Sequence, residues 1–183
     1  MQSDLQNSLR KQVKIPIIGK GNYTEISNKV NYFIKQKYRI IEITLRSKDA
    51  LEISLNVKND FPDLIVGIGS IISFEQLKDI SKHKFHFYIS PGTNARMMEM
   101  ANQNNLNYIP GVSSASEVIK ALEYGYDLLK FFPARQSGGI DVLKYFSDIF
   151  QNVKFIPTGG INKDNIQSYL DLPNVIGVGS TNF

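Results

Sequence analysis

Lys130 lies in Leu128-Leu129-Lys130-Phe131-Phe132-Pro133, where every other residue before the proline is apolar. A short apolar run closed by proline reads as a buried strand, and strand side chains alternate between faces. Leu128, Lys130 and Phe132 then share one side, and Leu129 and Phe131 the other. Lysine is rarely buried unless it is paired or used. One reading is a snorkelling lysine, its stem packed and its head in water. The other is an amine in apolar surroundings, where the charged form is disfavoured and a neutral nucleophile exists near neutral pH. This segment alone leaves both open. The stretch Ile40-Ile41-Glu42-Ile43-Thr44-Leu45-Arg46 alternates in the same way. Glu42, Thr44 and Arg46 share one face and Ile41, Ile43 and Leu45 the other. The apolar face should pack outward, leaving a carboxylate and a guanidinium pointing inward. The competing reading is an ion pair satisfied within the strand face, with no further use.

Small and polar residues recur after other apolar runs. They appear in Gly67-Ile68-Gly69-Ser70, Ile89-Ser90-Pro91-Gly92-Thr93, Ile109-Pro110-Gly111-Val112-Ser113, Pro157-Thr158-Gly159-Gly160-Ile161 and Gly177-Val178-Gly179-Ser180. Singly these are turn chemistry. Repeated, they suggest a concave site, where glycines let backbone N–H groups approach an anion and a following helix N-terminus adds its dipole.

The elements that must position these residues follow a regular beat. Strands are predicted over Val13–Ile18, Ile40–Leu45, Ile65–Gly69, Phe85–Ser90, Tyr108–Val112, Leu128–Phe132, Lys154–Pro157 and Val175–Gly179. They recur at roughly 20 to 27 residues, the size of a strand-loop-helix-loop unit. Helices are predicted over Tyr23–Lys37, Asp49–Asn59, Phe74–Lys82, Ala95–Asn104, Ala115–Tyr124, Asp141–Phe150 and Lys163–Leu170. Ser73, and Ser114 with Glu117, supply N-caps, and Gly125 a helix stop. Eight strands alternating with helices is the count of a (β/α)8 TIM barrel; a doubly wound open sheet is the runner-up. In the barrel, activity sits at the C-terminal strand ends, and the loops after the last two strands bind phosphate. Only Ser180-Thr181-Asn182-Phe183 follow the glycine-rich end, so the expected barrel lacks its last helix.

The 183 residues make one domain, 1–183, with a substantial core. At 42% hydrophobic and 21% charged, the composition is that of a soluble globular chain. A net charge of +4 invites a nucleic-acid reading. The basic residues are scattered among acids, however, so no nucleic acid is expected and an anionic small substrate fits better. The absence of cysteine excludes disulfides and thiolate metal sites. His83 and His86 flank the start of the fourth run, away from the chemistry, so no metal is expected. No apolar segment approaches the roughly 18 residues of a membrane span. The polar start lacks a secretion signal's apolar core, which points to the cytoplasm.

Taken in order, Ile41–Arg46, Gly67–Ser70, Ile89–Gly92, Ile109–Ser113, Lys130–Ala134 and Pro157–Ile161 resemble the bacterial 2-keto-3-deoxy-6-phosphogluconate (KDPG) aldolase family. That family also includes 4-hydroxy-2-oxoglutarate (KHG) aldolases, and the resemblance covers nearly the whole chain. It implies a metal-free, cofactor-free class I aldolase of the Entner–Doudoroff pathway, a homotrimer of (β/α)8 barrels. The reaction would split KDPG, a 2-keto acid phosphate, into pyruvate and glyceraldehyde 3-phosphate. By position, Lys130 would form the Schiff base and Glu42 would be the general acid/base. Arg46 and Ser70 would hold the pyruvate carboxylate, with Ser70 standing where threonine is commoner. Thr158, Gly159, Gly160 and Ser180 would line the phosphate end, and Pro91 and Phe132 would shape the pocket. The chemistry is consistent with these roles. Cleavage of C3–C4 leaves electrons that a protonated imine accepts, which requires a primary amine. One carboxylate can serve both proton transfers, and a guanidinium fork suits a carboxylate. Arg135 stands where an acid is common and adds positive charge near the active end.

Other readings remain. An isomerase or synthase of phosphorylated sugars would use the same glycine loops but does not require Lys130. A truncated, catalytically impaired barrel that binds small anions is a further one. Among aldolase substrates, KDPG, its galactonate epimer and KHG share the pyruvate half and differ at the distal end.

Overall fold

The computed structural model describes residues 2–183, with side chains from Leu5 onward. The described strands are β1 (Lys14–Ile18), β2 (Ile40–Thr44), β3 (Ile65–Gly69), β4 (Phe87–Ile89), β5 (Tyr108–Ile109), β6 (Gly111–Val112), β7 (Leu128–Phe131), β8 (Lys154–Pro157) and β9 (Val178–Ser180). The helices are α1 (Gln2–Lys11), α2 (Tyr23–Lys35), α3 (Ala50–Asp60), α4 (Phe74–Ser81), α5 (Ala95–Gln103), α6 (Ala115–Glu123), α7 (Gly139–Ile149) and α8 (Ile166–Leu170). All strand pairs are parallel, in the orders β5-β4-β3-β2-β1-β9 and β6-β7-β8. Bridges Phe155↔Val175 and Thr158↔Gly179 join the β8 and β9 segments. The parallel sheet curls into a TIM-barrel-like fold with its helices outside. The open-sheet alternative does not account for the last strand, β9, pairing with β1 while its segment is also bridged to β8.

Two strand predictions need correction. Tyr108–Val112 is interrupted at Pro110, which has no N–H for the ladder, although its carbonyl still accepts from the Lys130 N–H at 3.0 Å. At the chain's end, Val175–Gly179 is displaced. Ile176 N–H reaches Phe155 O, and the β1 ladder begins only where Val178 N–H reaches Val13 O at 2.7 Å. Gly177–Ser180 is therefore not a loop, because its last three residues are strand. Gly179 is needed there for close approach: a Cβ would lie 2.6 Å from Thr158 Oγ1.

Helix ends follow their local chemistry. Ser73 caps α4, and Ser114 with Glu117 forms a reciprocal capping box on α6. Asn22 with Glu25 and the Asn94 cap do the same for α2 and α5 without having been anticipated. Gly125 takes φ +82 just past α6. The predicted Lys163–Leu170 helix shortens to α8, because the Asn162 carboxamide oxygen accepts from the N–H groups of Asp164 and Asn165 and forms a turn in place of its first residues. The α1 helix was not predicted from the polar start. Its Leu5 and Leu9 are four apart and both buried. Each such side chain contributes about 2 kcal/mol on burial, which holds a segment too short to be helical alone.

The core has two parts. Ile41 and Ile43 belong to the outer cluster between sheet and helices, as their alternation requires. The inner cluster fills the curl of the sheet with Ile15, Ile40, Phe87, Ile89, Ile109, Leu128, Ile156 and Ile176, and Leu5 and Leu9 of α1 plug it from the N-terminal strand ends. A Cβ at Gly67 would fall within the Phe87 ring, so this layer depends on a glycine.

His86 also sits at the N-terminal ends of the strands. It is an exposed residue whose Nδ1 accepts from Val66 N–H at 3.0 Å. Partial burial pushes its imidazole below the ordinary histidine range. Nδ1 accepts only while unprotonated, which acts in the same direction. Unfolded histidine binds its proton near pH 6.5, the folded ring only at lower pH. Between those values the unfolded chain holds the extra proton, so stability present above about pH 6.5 is lost as pH falls toward the folded value. Thermal melts should therefore show Tm falling from about pH 7 to about pH 5 less steeply in His86→Gln than in the parent. Equal slopes would place the acid sensitivity elsewhere.

Candidate active site

Lys130 points inward from β7, paired in register with Gly111 of β6 and Ile156 of β8. Its Nζ lies 3.3 Å from Glu42 Oε1, and the two side chains are only 5% and 3% exposed. The ammonium also sits 5.2 Å from the centre of the Phe132 ring. The snorkelling reading fails, since the head of the side chain is not in water. The pair forms the layer directly above the apolar inner cluster.

Glu42 projects from the middle of β2, opposite Ile17 of β1 and Gly67 of β3. Its carboxylate fills the space above Gly69, where a Cβ would collide with Oε1. Sequence inspection identified Gly69 only as a small residue that leaves room; in the structure the carboxylate occupies that room.

Arg46 departs from its expected place. The strand stops at Thr44, where a tight turn sends Arg46 N–H back to Thr44 O at 2.9 Å. Arg46 is thus exposed at the rim and makes no in-strand pair with Glu42. Its Nε donates to Ser70 Oγ at 3.0 Å. Ser70 follows β3 at φ +63, a left-handed turn that aims the hydroxyl toward Arg46. The Ser70 proton remains available to donate.

A cavity of about 400 Å³ opens at this end of the sheet. That is the scale of small-molecule sites. It is lined by Arg46, Phe132, Thr158, Gly159, Gly160 and Ser180, with Arg135 at its edge. Phe132 and Thr158 each lie two residues beyond Lys130 and Ile156, so the cavity sits on the layer above the pair. Pro91 is not part of this lining. Its carbonyl instead occupies the space beside Gly111, which adjoins Lys130. Gly159 and Gly160 take φ +100 and +77. Among the described residues their N–H groups meet no acceptor. The Ser180 hydroxyl donates to Ile161 O at 2.7 Å and accepts from Asn182 N–H, so its proton steadies the glycine loop. Among the described residues, the helix that follows this loop is the five-residue α8, which begins only at Ile166.

Other titratable groups form the surroundings. Tyr108 donates to Ser90 Oγ at 2.6 Å behind the site, and burial pushes its phenol up to about 12. Among the described residues, no three of His, Cys, Asp and Glu come together as a metal site. The arrangement offers an amine placed beside a carboxylate with which it can exchange a proton. Above them is a cavity with a guanidinium-hydroxyl pair on one side and open glycine N–H groups on the other. It suits a small molecule with two anionic ends.

The family described as "Aldolase: KDPG and KHG aldolase" matches residues 5–183. The 2-dehydro-3-deoxy-phosphogluconate aldolase of Pseudoalteromonas atlantica is 38% identical over 137 residues, covering 75% of this chain and 64% of that one. The match thus spans less than two thirds of that relative's length. The KHG/KDPG aldolase of Escherichia coli is 34% identical over 143 residues, 78% of this chain and 67% of that one. A solved KDPG aldolase from Legionella pneumophila, with pyruvate captured at low pH as a covalent carbinolamine intermediate, is 35% identical. It superposes with a TM-score of 0.92, covering 96% of this chain and 85% of that one.

The buried pair makes a prediction about stability. Removing one partner strands the other's charge, at a cost of roughly 3 to 5 kcal/mol, whereas an apolar replacement of both can be neutral. In urea unfolding, Glu42→Leu and Lys130→Met should each lower the midpoint. The double variant should recover most of the loss. A double variant as weak as the sum of the two singles would show that the charges do not depend on each other.

Proposed function

Since this chain belongs to the KDPG and KHG aldolase family, we propose that it is a class I aldolase cleaving 2-keto-3-deoxy-6-phosphogluconate to pyruvate and glyceraldehyde 3-phosphate. The observation that carries this reading is the Lys130 amine, buried 3.3 Å from the Glu42 carboxylate beneath an open cavity. Lys130 passes a proton to Glu42, and the neutral amine attacks the substrate's C2 carbonyl to give a carbinolamine. Glu42 returns that proton to the departing hydroxyl, which leaves as water and gives the protonated imine. Glu42 accepts the C4 hydroxyl proton, directly or through a water, as the C3–C4 bond breaks. The aldehyde forms at C4 while the electron pair moves into the imine and leaves an enamine. Glu42 returns a proton to C3, and water releases pyruvate. The carbinolamine captured with pyruvate in the Legionella relative is the same kind of intermediate.

Arg46 and Ser70 hold the pyruvate carboxylate, the fork donating two bonds and the hydroxyl a third. Phe132 covers the imine from above, and the Pro91 backbone bounds the far side. Thr158, Gly159 and Gly160 line the phosphate end, with Ser180 fixing the loop. We read the curled sheet as a (β/α)8 barrel over 1–183, counting β5 and β6 as one strand. Following the family resemblance, we take the enzyme to be a cytoplasmic homotrimer. KHG is a second substrate on this reading: its pyruvate half is the same, and its distal carboxylate can accept from the free Gly159 and Gly160 N–H groups.

Incubation with pyruvate and borohydride, followed by peptide mapping, should add a reduced pyruvyl group at Lys130 and none in Lys130→Met. A folded parent protein that gains no mass would favour the impaired anion-binding barrel. Gly69→Ala supplies a second test. Its new methyl group first meets Glu42, whose Oε1, Cδ and Cγ would all lie within 2.8 Å of it. The carboxylate must then move away from Lys130, and Tm should fall as it does when the pair is broken. Displacing the acid/base group should lower kcat by about 100-fold or more. Full activity in that variant would remove Glu42 from the proton transfers.

A further inference from the structure

We infer that Arg135 binds the distal phosphate of the substrate and sets the preference for a phosphate over a carboxylate at that end, an inference that rests on the aldolase reading above. The segment after β7 is tied to the glycine loop by its own backbone. Ala134 N–H donates to Thr158 O at 2.8 Å, and Arg135 N–H to Gly159 O at 3.1 Å. The stem of Arg135 lies along Gly160, where a Cβ would stand 2.6 Å from Arg135 Cβ and 3.0 Å from its Cδ. Gly160 at φ +77 thus leaves room for the arginine as well as for an anion.

The charge of Arg135 acts on the nearby Tyr169 phenol but has no carboxylate partner among the described residues. Its residue is exposed, and no ion pair among the described residues includes it. Among the described residues, the cavity lining has no carboxylate side chain, and its charged members are Arg46 and Arg135. These two are anchored on different sides. Arg46 is bonded to Ser70 at the end of β3, whereas Arg135 is laced to the loop after β8. A substrate with its carboxylate on Arg46 therefore directs its other end toward Arg135 and the free Gly159 and Gly160 N–H groups.

Coulomb attraction scales with the product of the charges, and a phosphate monoester carries about 1.5 to 2 negative charges at pH 7 against one for a carboxylate. The planar fork also matches two phosphate oxygens at once. Arg135 therefore discriminates by charge, where the glycine N–H groups accept either anion.

The test compares Arg135→Gln, Arg135→Lys and the parent on KDPG and on unphosphorylated 2-keto-3-deoxygluconate, with inorganic phosphate as a direct ligand in calorimetry. In Arg135→Gln, KM for the phosphorylated substrate should rise about tenfold with kcat changing far less, and the unphosphorylated substrate should shift by less than about twofold. Inorganic phosphate should weaken in parallel, and Arg135→Lys should restore part of the loss. Equal shifts on both substrates, or no shift on KDPG, would overturn the role of Arg135. Pyruvate trapping on the parent separates the two readings. If Lys130 is not trapped, the aldolase reading fails, and phosphate affinity in the parent against Arg135→Gln still decides whether Arg135 binds the anion.

Discussion

The contact between Lys130 and Glu42 constrains everything around it. Two charges taken out of water are costly unless they hold each other, and here each is the other's partner in a space closed to solvent. That contact needs two strands separated by 88 positions in sequence to point at one another, which a curled parallel sheet provides. It also needs an apolar floor to exclude water, and the inner cluster supplies one. Small neighbours are required as well: Gly69 cedes its Cβ volume to the carboxylate, and Gly111 sits beside Lys130 in register. The same seclusion that makes the pair costly to keep gives the amine and carboxylate a defined geometry before any substrate arrives.

Much of this was legible in the sequence because strand alternation is a strong rule wherever one face is buried. Period two assigned Glu42 and Lys130 to the interior and Ile41, Ile43, Leu129 and Phe131 to the outer core. The spacing of apolar runs conveyed the repeating unit, and Ser73 and Ser114 marked helix starts through their side-chain chemistry. Alternation misled where a strand ended early. It placed Arg46 in the interior, yet the turn after Thr44 carries it to the rim. The last strand was misread for a related reason: Val175 and Ile176 are apolar because they adjoin β8, not because they pair with β1.

What stayed hidden depends on contacts between distant segments. The polar composition around Leu5 and Leu9 gave no sign of α1, because two apolar residues make a helix only when a core awaits them. Nothing in the order Pro133-Ala134-Arg135 reveals that the arginine stem will lie along Gly160. Ser180 was identified by position, but the bond that its hydroxyl donates to Ile161 O at 2.7 Å, which holds the glycine loop, could not be read from the motif.

The plug that α1 inserts between the N-terminal strand ends closes that end of the interior, and the cavity lies at the opposite end. Under the proposed reaction, both fragments of the cleaved substrate must depart through the opening by which the whole entered. Pyruvate, still bonded to Lys130, is the inner of the two, and the three-carbon aldehyde lies between it and solvent. The architecture therefore imposes an order: the aldehyde leaves first, and in the reverse direction pyruvate must load before its partner. A helix that makes no contact with the chemistry thus turns the site into a last-in, first-out chamber.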